Sequence, residues 1–179
     1  MEFHEVDRDR WEDLERLFES RGGPRYCWCM VWRRMPKGVG RSDPKAKKDA
    51  LRRRVEDETP IGILGYIDGA PSAWCSIAPR DTFRELGGSG IPLGASESVW
   101  SVTCFFAPRR LRGNGVTRRL IHAAVEYARE KGAAIVEAYP VDPDSPSYKF
   151  MGLVSSFEAL GFEKVGKAGT RRHVMRLFL

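Results

Sequence analysis

Glycine and arginine residues occur together at one point of the chain, in a spacing that suits anion binding. Arg110, Arg112, Gly113 and Gly115 form an R-x-R-G-x-G string. Guanidinium groups pair with phosphate oxygens, and glycines let the backbone approach a ligand without an intervening Cβ. A helical pattern follows, and the first N–H groups of a helix have no internal partner and can point at a phosphate. The sequence therefore predicts a phosphate-binding turn at this point.

Two regular elements must hold this turn in place. Residues 99–107 are β-branched, aromatic and otherwise nearly uncharged, which predicts a buried strand. Pro108 ends that strand, because proline has no N–H to donate to a sheet ladder. A helix is predicted to follow the turn and to stop at Gly132. Its apolar face consists of Val116, Leu120, Ala124 and Ala128.

Other glycine motifs fit the turn less well. A dinucleotide-binding fingerprint needs a third glycine, and Arg118 stands at that position. The G-x-x-x-x-G-K-[ST] phosphate loop does not occur in the chain. A tight strand-to-helix turn that binds no ligand is the remaining structural alternative.

Length and composition favour one domain. With 179 residues, of which 42% are hydrophobic, the chain is long enough for one buried core, so we expect a single domain over residues 1–179. No apolar run reaches the roughly 18 residues of a membrane span, and the N-terminus is charged. We therefore expect a cytoplasmic protein with no membrane partner. The net charge of +6 allows anionic partners without choosing among them.

The predicted elements follow a mixed order. A strand and two helices are followed by a hairpin with an Asp68-Gly69 turn, then by the central strand and helix, a strand, a short helix and two closing strands. The helix that begins at Asp43-Pro44 is strongly basic, but no aromatic residues alternate with its charges, which disfavours nucleic-acid binding. The long loop 81–98 could serve as a lid or as the interface of a homodimer.

Two motifs resemble one known family. The R-x-x-G-x-G turn between a strand and an amphipathic helix resembles the acetyl-CoA pyrophosphate loop of the GNAT (Gcn5-related) N-acetyltransferases. The string F-E-A-L-G-F at residues 157–162 resembles the F-Y-E-K-L-G-F ending of that family. The order of elements matches over nearly the whole chain. The resemblance implies an α/β (α+β) fold, a single GNAT-like domain with a mixed, mostly antiparallel sheet of about seven strands flanked by about four helices.

The resemblance also implies a cofactor and a reaction. An acetyl group would pass from acetyl-CoA to a primary amine of an unidentified acceptor, either a small molecule or an exposed amine, and no metal is implied. The backbone of Phe105, Phe106 and Ala107 would pair with the pantetheine arm like an added strand. The pyrophosphate would be bound by the turn, whose implied ligand-binding residues are Arg110, Arg112, Gly113, Asn114, Gly115, Val116 and Thr117.

The base for this reaction has two candidates. An amine is protonated at neutral pH and must lose a proton before it attacks, which requires a base or a chain of waters. Many GNAT members place a glutamate on or just before the central strand, and Glu97 lies near that point. Glu137 is the other acid inside a predicted strand. For each of them, an ordinary surface or paired carboxylate is the alternative.

The acid that protonates the leaving thiolate is also open. Members of the family often use a tyrosine in the last helix, and Phe157 stands at the matching position. The proton could instead come from Tyr148, Tyr139, a serine at position 155 or 156, or water. Of these we expect Tyr148 to be the acid. The missing hydroxyl raises the alternative of a GNAT-fold module that binds acyl-CoA without turnover.

Aromatic residues mark a candidate acceptor pocket. Tyr26, Trp28 and Trp32 lie in a segment dense in large apolar side chains, and in GNAT proteins the corresponding segment lines the acceptor side. These residues, together with Tyr139, are predicted to contact the acceptor. An ordinary core segment is the equally weighted alternative.

The chain contains four cysteines. Cys27 and Cys29 are separated by one residue, which is not the paired C-x-x-C spacing of structural zinc sites. Cys75 and Cys104 lie in apolar strand-like runs, where cysteine behaves as a small hydrophobic residue. No histidine near Cys104 in the sequence would activate it as a nucleophile. We therefore expect reduced, structural thiols.

Overall fold

A computed structural model describes residues 1–37, 40, 42–87 and 98–179 of the chain. These residues form one seven-stranded mixed sheet with the strand order β1-β2-β3-β4-β5-β7-β6. The strands are β1 (Glu2–Glu5), β2 (Ile63–Ile67), β3 (Ala70–Pro79), β4 (Val99–Phe106), β5 (Ile135–Ala138), β6 (Glu163–Ala168) and β7 (Arg172–Phe178). The α-helices are α1 (Trp11–Glu19), α2 (Pro44–Glu56), α3 (Val116–Glu130) and α4 (Val154–Glu158). This architecture confirms the predicted fold class and the order of its elements.

The central strands β4 and β5 are parallel, whereas every other pair of neighbouring strands in this sheet is antiparallel. Their pairing begins at Val99 with Ile135 and ends at Val102 with Ala138. β5 stops there, two residues before Pro140, while β4 continues to Phe106. The last residues of β4 therefore run past the end of β5, and the sheet opens along that edge.

A β-bulge lies where the two strands part. Ser76 of β3 pairs with Cys104, and the next residue, Ile77, pairs with Val102, so Thr103 is the extra residue of β4. The Thr103 hydroxyl donates a hydrogen bond to Ser76 Oγ over 3.0 Å. A bulge bends its strand and increases the local twist. This bend helps to separate the end of β4 from β5.

Helices cover both faces of the sheet. The apolar face of α3 predicted from the sequence packs, with α4, against β3, β4 and β5 in one core cluster. On the other side, α1 and α2 pack against β2 and β3 around Trp74, Leu14 and Leu51. Burial of these apolar faces is the main stabilising contribution to such a layered fold.

The start of α2 matches its sequence signal, and its basic side chains are largely paired. The Asp43 side chain accepts a hydrogen bond from Lys45 N over 2.8 Å, and Pro44 occupies the first helical position. Lys48 bonds to the carboxylates of Glu15 and Glu19 on α1. These ion pairs place much of the basic face of α2 against acidic groups of the protein itself.

The last helical region differs from the sequence prediction. One short helix was expected over residues 150–160, but a 3₁₀ turn, Lys149–Met151, is followed by a separate helix, α4. Gly152 lies between them with φ +93°, a left-handed conformation that ends the first turn. A Cβ at Gly152 would lie 2.8 Å from Phe157 Cε2 and 3.1 Å from Phe105 Cε2, so the break lets α4 pack closely on β4.

Candidate active site

The open edge of β4 forms one wall of a cleft of about 720 Å³, called the β4 cleft below. The glycine turn and the first turn of α3 close one end of it. The opposite wall comes from the segment that joins α1 to α2 and from residues 149–156. The β4 cleft is thus built where the parallel strands separate, which is the usual position of ligands in parallel sheets.

The wall from β4 is apolar and continuous. Phe105, Phe106 and Ala107 line the β4 cleft and are half-buried, whereas the sequence predicted a buried strand here. The ring of Phe105 lies 6.1 Å from that of Phe157 on α4. An elongated, flexible ligand can pair with such an edge, because backbone N–H and C=O groups at the end of a strand accept an added strand.

The glycine turn has the conformation that the sequence predicted. Gly113 and Gly115 have φ values of +82° and +72°, which glycine adopts without strain. No atom lies within 4 Å of the position that a Cβ would take at either residue, so the backbone is open to a ligand. Gly115 is the N-cap residue of α3 and has no capping side chain. The first N–H groups of α3 can therefore hydrogen-bond to a bound anion.

Positive charge surrounds this turn. Arg112 and Arg118 line the β4 cleft, and Arg112 Nε donates to the carbonyl of Ala107 over 3.2 Å. Val116 and Thr117 also line it, whereas Arg110 and Asn114 are exposed and lie outside the lining. Neither aspartate nor glutamate occurs among the lining residues within the described part of the chain. The electrostatic field at this end therefore favours an anion.

The predicted aromatic residues do not form one wall. Trp32 lines the β4 cleft, and the guanidinium groups of Arg84 and Arg172 lie 4.7 and 4.3 Å from its ring centre. Trp28 is instead in the core, stacked on Trp11 at 6.0 Å. Tyr26 is 67% exposed and is not a lining residue. The core interpretation therefore describes Trp28, and the pocket interpretation is compatible with Trp32 alone.

The predicted acid–base residues are dispersed. Glu97 lies outside the described residues. Glu137 is fully buried away from the cleft lining and bonds to Arg176 Nε at 2.8 Å, with Arg80 Nη1 at 3.4 Å. Tyr139 is also fully buried and donates its hydroxyl to Glu137 Oε1. Burial and the Glu137 carboxylate raise the pKa of Tyr139. These two residues form a buried network beside β7.

Tyr148 and the α4 hydroxyls have different positions. Tyr148 precedes the 3₁₀ turn with φ +63°, and its ring lies 6.2 Å from that of Trp32, but it is not a lining residue. Phe157 is fully buried between Phe105 and Phe162. Its neighbour Ser156 lines the β4 cleft, whereas Ser155 is exposed elsewhere. Ser156 is therefore a hydroxyl-bearing residue of the cleft lining on the helix that lacks the tyrosine.

Sequence reasoning missed several lining residues. Arg118 follows the glycine turn by three positions and lies on the first turn of α3, so helical spacing could have identified it. Lys149 belongs to no predicted element, and Phe150 begins the short helix predicted over residues 150–160, yet both residues line the β4 cleft. Three cysteines also line the β4 cleft, namely Cys27, Cys29 and Cys104. Cys27 and Cys29 are close in the sequence, but nothing local brings Cys104 to them.

The thiols meet because of an unusual backbone turn. Trp28 and Cys29 both have left-handed φ values, +46° and +48°, which are uncommon for residues other than glycine. This turn directs Trp28 into the core and places Cys29 Sγ 3.2 Å from Cys104 Sγ. In the described ranges no three His, Cys, Asp or Glu side chains are arranged to hold a metal ion.

Comparison with known proteins agrees with this geometry. The family model of the GNAT acetyltransferases matches residues 11–152. The chain belongs to the GNAT acetyltransferase family. This membership confirms the family resemblance. The matched residues include the glycine turn but not the F-E-A-L-G-F string at residues 157–162. No curated protein sequence matches this GNAT protein significantly. No helix in its described ranges has the length and apolar character needed to cross a membrane.

Solved structures share the fold at low sequence identity. Ribosomal-protein-alanine N-acetyltransferase from Brucella melitensis matches with a TM-score of 0.58 and 16% identity, over 100% of both chains. PaiA N-acetyltransferase from Thermoplasma acidophilum, in complex with coenzyme A, has a TM-score of 0.57 and 12% identity over 99% of this chain and 98% of that chain. An uncharacterised protein from Bacillus halodurans has a TM-score of 0.63 and 16% identity, over 98% of this chain and 82% of that chain. At these identities the likeness concerns the fold alone.

Proposed function

We propose that this GNAT protein is an acetyl-CoA-dependent N-acetyltransferase that acts on a primary amine. The observation that carries the proposal is the continuity of the β4 cleft, from the open edge of β4 to the glycine turn with its unobstructed backbone. A nucleotide with a long flexible arm needs both an anion site and a strand edge. Family membership supports acetyl transfer in general, and the acceptor is an open part of the proposal.

The residues of the β4 cleft fit acetyl-CoA in a defined direction. The backbone of residues 113–117, with the Arg112 and Arg118 guanidiniums, would hold the diphosphate. The edge of β4 from Phe105 to Ala107 would hold the pantetheine arm. When bound, acetyl-CoA supplies an acetyl group activated as a thioester. The β4 amides near that position would polarise its carbonyl, since fixed N–H dipoles stabilise developing negative charge.

The acceptor would enter beside Trp32. Trp32, Lys149 and Phe150 all line the β4 cleft, and none of them belongs to the glycine turn or to α3. The described lining in this region carries aromatic, aliphatic and basic groups, so it suits a small apolar or anionic amine better than a polyamine. No lining carboxylate is described there, and Glu97 lies outside the described residues, so Glu97 or water in the β4 cleft would remove the proton from the amine.

Ligand truncation tests the proposed function directly. Acetyl-CoA and S-acetylpantetheine carry the same acetyl thioester, but only acetyl-CoA carries the nucleotide diphosphate. Calorimetric titration should show saturable binding of acetyl-CoA. The affinity for S-acetylpantetheine should be at least about tenfold lower, because this ligand leaves the glycine turn empty. Equal affinity for the two ligands, or no binding of either, would refute the assignment. Binding without thioester loss across a panel of amines would identify an acyl-CoA-binding module instead.

Ser156 is the proposed donor of a proton to the leaving thiolate. Ser156 lines the β4 cleft, and α4 also carries Ser155, whose exposed side chain is a matched control. Ser156→Ala should lower kcat about tenfold at unchanged affinity for acetyl-CoA, since water in the open cleft can replace a hydroxyl only partly. Ser155→Ala should retain the full rate. The rates are measured from loss of thioester absorbance, and equal rates for the two variants would exclude this role.

A further inference from the structure

Two thiols from distant parts of the chain touch in the β4 cleft. Cys29 Sγ lies 3.2 Å from Cys104 Sγ, and the two residues are 75 positions apart in the sequence. Cys29 belongs to the segment between α1 and α2, whereas Cys104 belongs to β4. Both residues line the β4 cleft, and Cys104 is the more exposed of the two. Proposed acetyl transfer uses neither thiol.

The surroundings of this pair differ from those of an inert buried cysteine. Trp74 Nε1 donates a hydrogen bond to Cys29 Sγ over 3.2 Å, which favours negative charge on that sulfur. The hydrogen bond to Cys104, together with burial, nevertheless raises the pKa of the Cys29 thiol, so Cys29 keeps its proton at rest. Cys104 is only half-buried and is therefore the sulfur that first meets a reagent in the cleft.

A buried positive charge lies near the pair. Arg33 is fully buried, and its Nη2 donates to the Ser76 hydroxyl over 2.9 Å. Its Nε and Nη1 atoms have no hydrogen-bond partner among the described residues. Burial and the charge of Arg54 lower the pKa of Arg33 to about 9, so it remains charged at neutral pH, and it attracts negative charge on Cys29 or Cys104.

We propose that Cys29 and Cys104 form a redox-active dithiol that hydroperoxides convert to a disulfide. The Cys104 sulfur attacks one peroxide oxygen and the O–O bond breaks, which leaves Cys104 as a sulfenic acid. The other oxygen takes the proton that the Cys104 thiol loses and departs as water or an alcohol. Cys29 then attacks the sulfenic sulfur, the S–S bond forms, and the hydroxyl leaves with the Cys29 proton as a second molecule of water. Two thiols are oxidised by two electrons and one peroxide is reduced.

The disulfide would connect two walls of the β4 cleft. It would fix the 24–33 segment to β4 and close a loop of 75 residues. Such a cross-link restricts the unfolded chain, so the oxidised protein should melt roughly 5–10 °C higher than the reduced protein. Thioredoxin-type reductants or dithiothreitol should restore the thiols and the original melting temperature.

The experiment exposes the purified full chain to hydrogen peroxide at low excess and maps its thiols by mass spectrometry. The expected product lacks two hydrogen atoms and links the Cys29 and Cys104 peptides. Cys29→Ser and Cys104→Ser should each abolish the cross-link and the rise in melting temperature. Cys27→Ser and Cys75→Ala are the matched controls, and both variants should retain the cross-link and the rise in melting temperature.

Several outcomes would overturn the proposal. Four free thiols after treatment, irreversible oxidation of Cys104 alone, or a disulfide that persists in the Cys29→Ser variant would each do so. A mixed disulfide with added coenzyme A in place of the internal bond would also contradict it. Peptide mapping of the wild-type protein is decisive even if a variant fails to fold.

A second arm separates this proposal from the proposed function. If acetyl-CoA binds along β4, saturating acetyl-CoA should slow disulfide formation several-fold, because it covers Cys104. Disulfide formation that acetyl-CoA does not slow would count against the proposed placement of the cofactor and leave the dithiol established. If acetyl-CoA binds but the disulfide does not form, the dithiol proposal is refuted and the proposed function stands.

Discussion

Glu137→Ala is expected to lower the free energy of unfolding by about 3–5 kcal/mol. The Glu137 carboxylate is fully buried and faces three groups at once, the Arg176 and Arg80 guanidiniums and the Tyr139 hydroxyl. Alanine removes the negative charge but leaves the Arg176 side chain, 5% exposed, in the same environment. Removing one partner of a buried ion pair leaves an uncompensated buried charge. It therefore lowers the free energy of unfolding far more than removing one partner of a surface ion pair does.

The measurement is urea unfolding followed by circular dichroism, with a surface ion pair as control. Glu158 bonds to Lys164 at 3.0 Å, and both side chains are about half exposed. Glu158→Ala should change the free energy of unfolding by less than about 0.5 kcal/mol. Glu137→Gln retains the size of the side chain and one carbonyl oxygen, so its loss should be smaller than that of Glu137→Ala.

The same variants decide whether Glu137 is also a catalytic base. If Glu137→Ala unfolds at the same urea concentration as Glu158→Ala but loses the acetyl-transfer rate, the buried network is not a stabilising device and the base assignment stands. If stability falls as expected while Glu137→Gln keeps most of the rate, Glu137 is a structural residue. The first result would overturn our interpretation of the network.

Local sequence signals predicted the parts of the site that depend on nearby residues. The strand that ends before Pro108, the left-handed glycines and the amphipathic α3 are adjacent in the chain, and each is determined mainly by its own residue types. Eight of the ten predicted cofactor residues line the β4 cleft, Arg110 and Asn114 being the other two. In a turn of a few residues, the side chains that face solvent depend on backbone angles that the sequence pattern does not determine.

Non-local contacts explain what the sequence could not predict. Trp28 enters the core because two consecutive left-handed residues turn the chain inward, and no glycine marks that turn. Glu137 is neutralised by Arg176, which pairs with it across β5 and β7, and by Arg80 from the end of β3. Such partners are set by strand order and register, which period-two patterning alone does not give.

The cysteine pair has the same origin. From the sequence, Cys104 is predicted to be a small hydrophobic residue of a strand. Cys29 lies in a Cys-x-Cys pair whose spacing does not suit a zinc site. Their contact depends on the bulge at Thr103 and on the turn at Trp28, neither of which has a sequence signature here. Residues that diverge from simple local rules in this way often mark functional positions.

Gly115→Glu is expected to weaken acetyl-CoA binding by about 100-fold, equivalent to about 2.7 kcal/mol. The new side chain would start from open space at the N-terminus of α3, where the diphosphate is proposed to bind. Its carboxylate would occupy the anion site and repel the phosphates. A negative charge at this end favours the helix itself, so the fold should tolerate it.

Backbone strain is the competing explanation, and Gly69 provides the control. Gly69 in the β2–β3 turn has φ +73°, against +72° at Gly115, and its Cβ position is equally unobstructed. Gly69→Glu therefore introduces the same charge and the same left-handed strain away from the β4 cleft. Calorimetry should show near wild-type affinity for acetyl-CoA in Gly69→Glu and a large loss in Gly115→Glu at similar melting temperatures. Equal affinities in the two variants would mean that the glycine turn is structural and that the cofactor binds elsewhere.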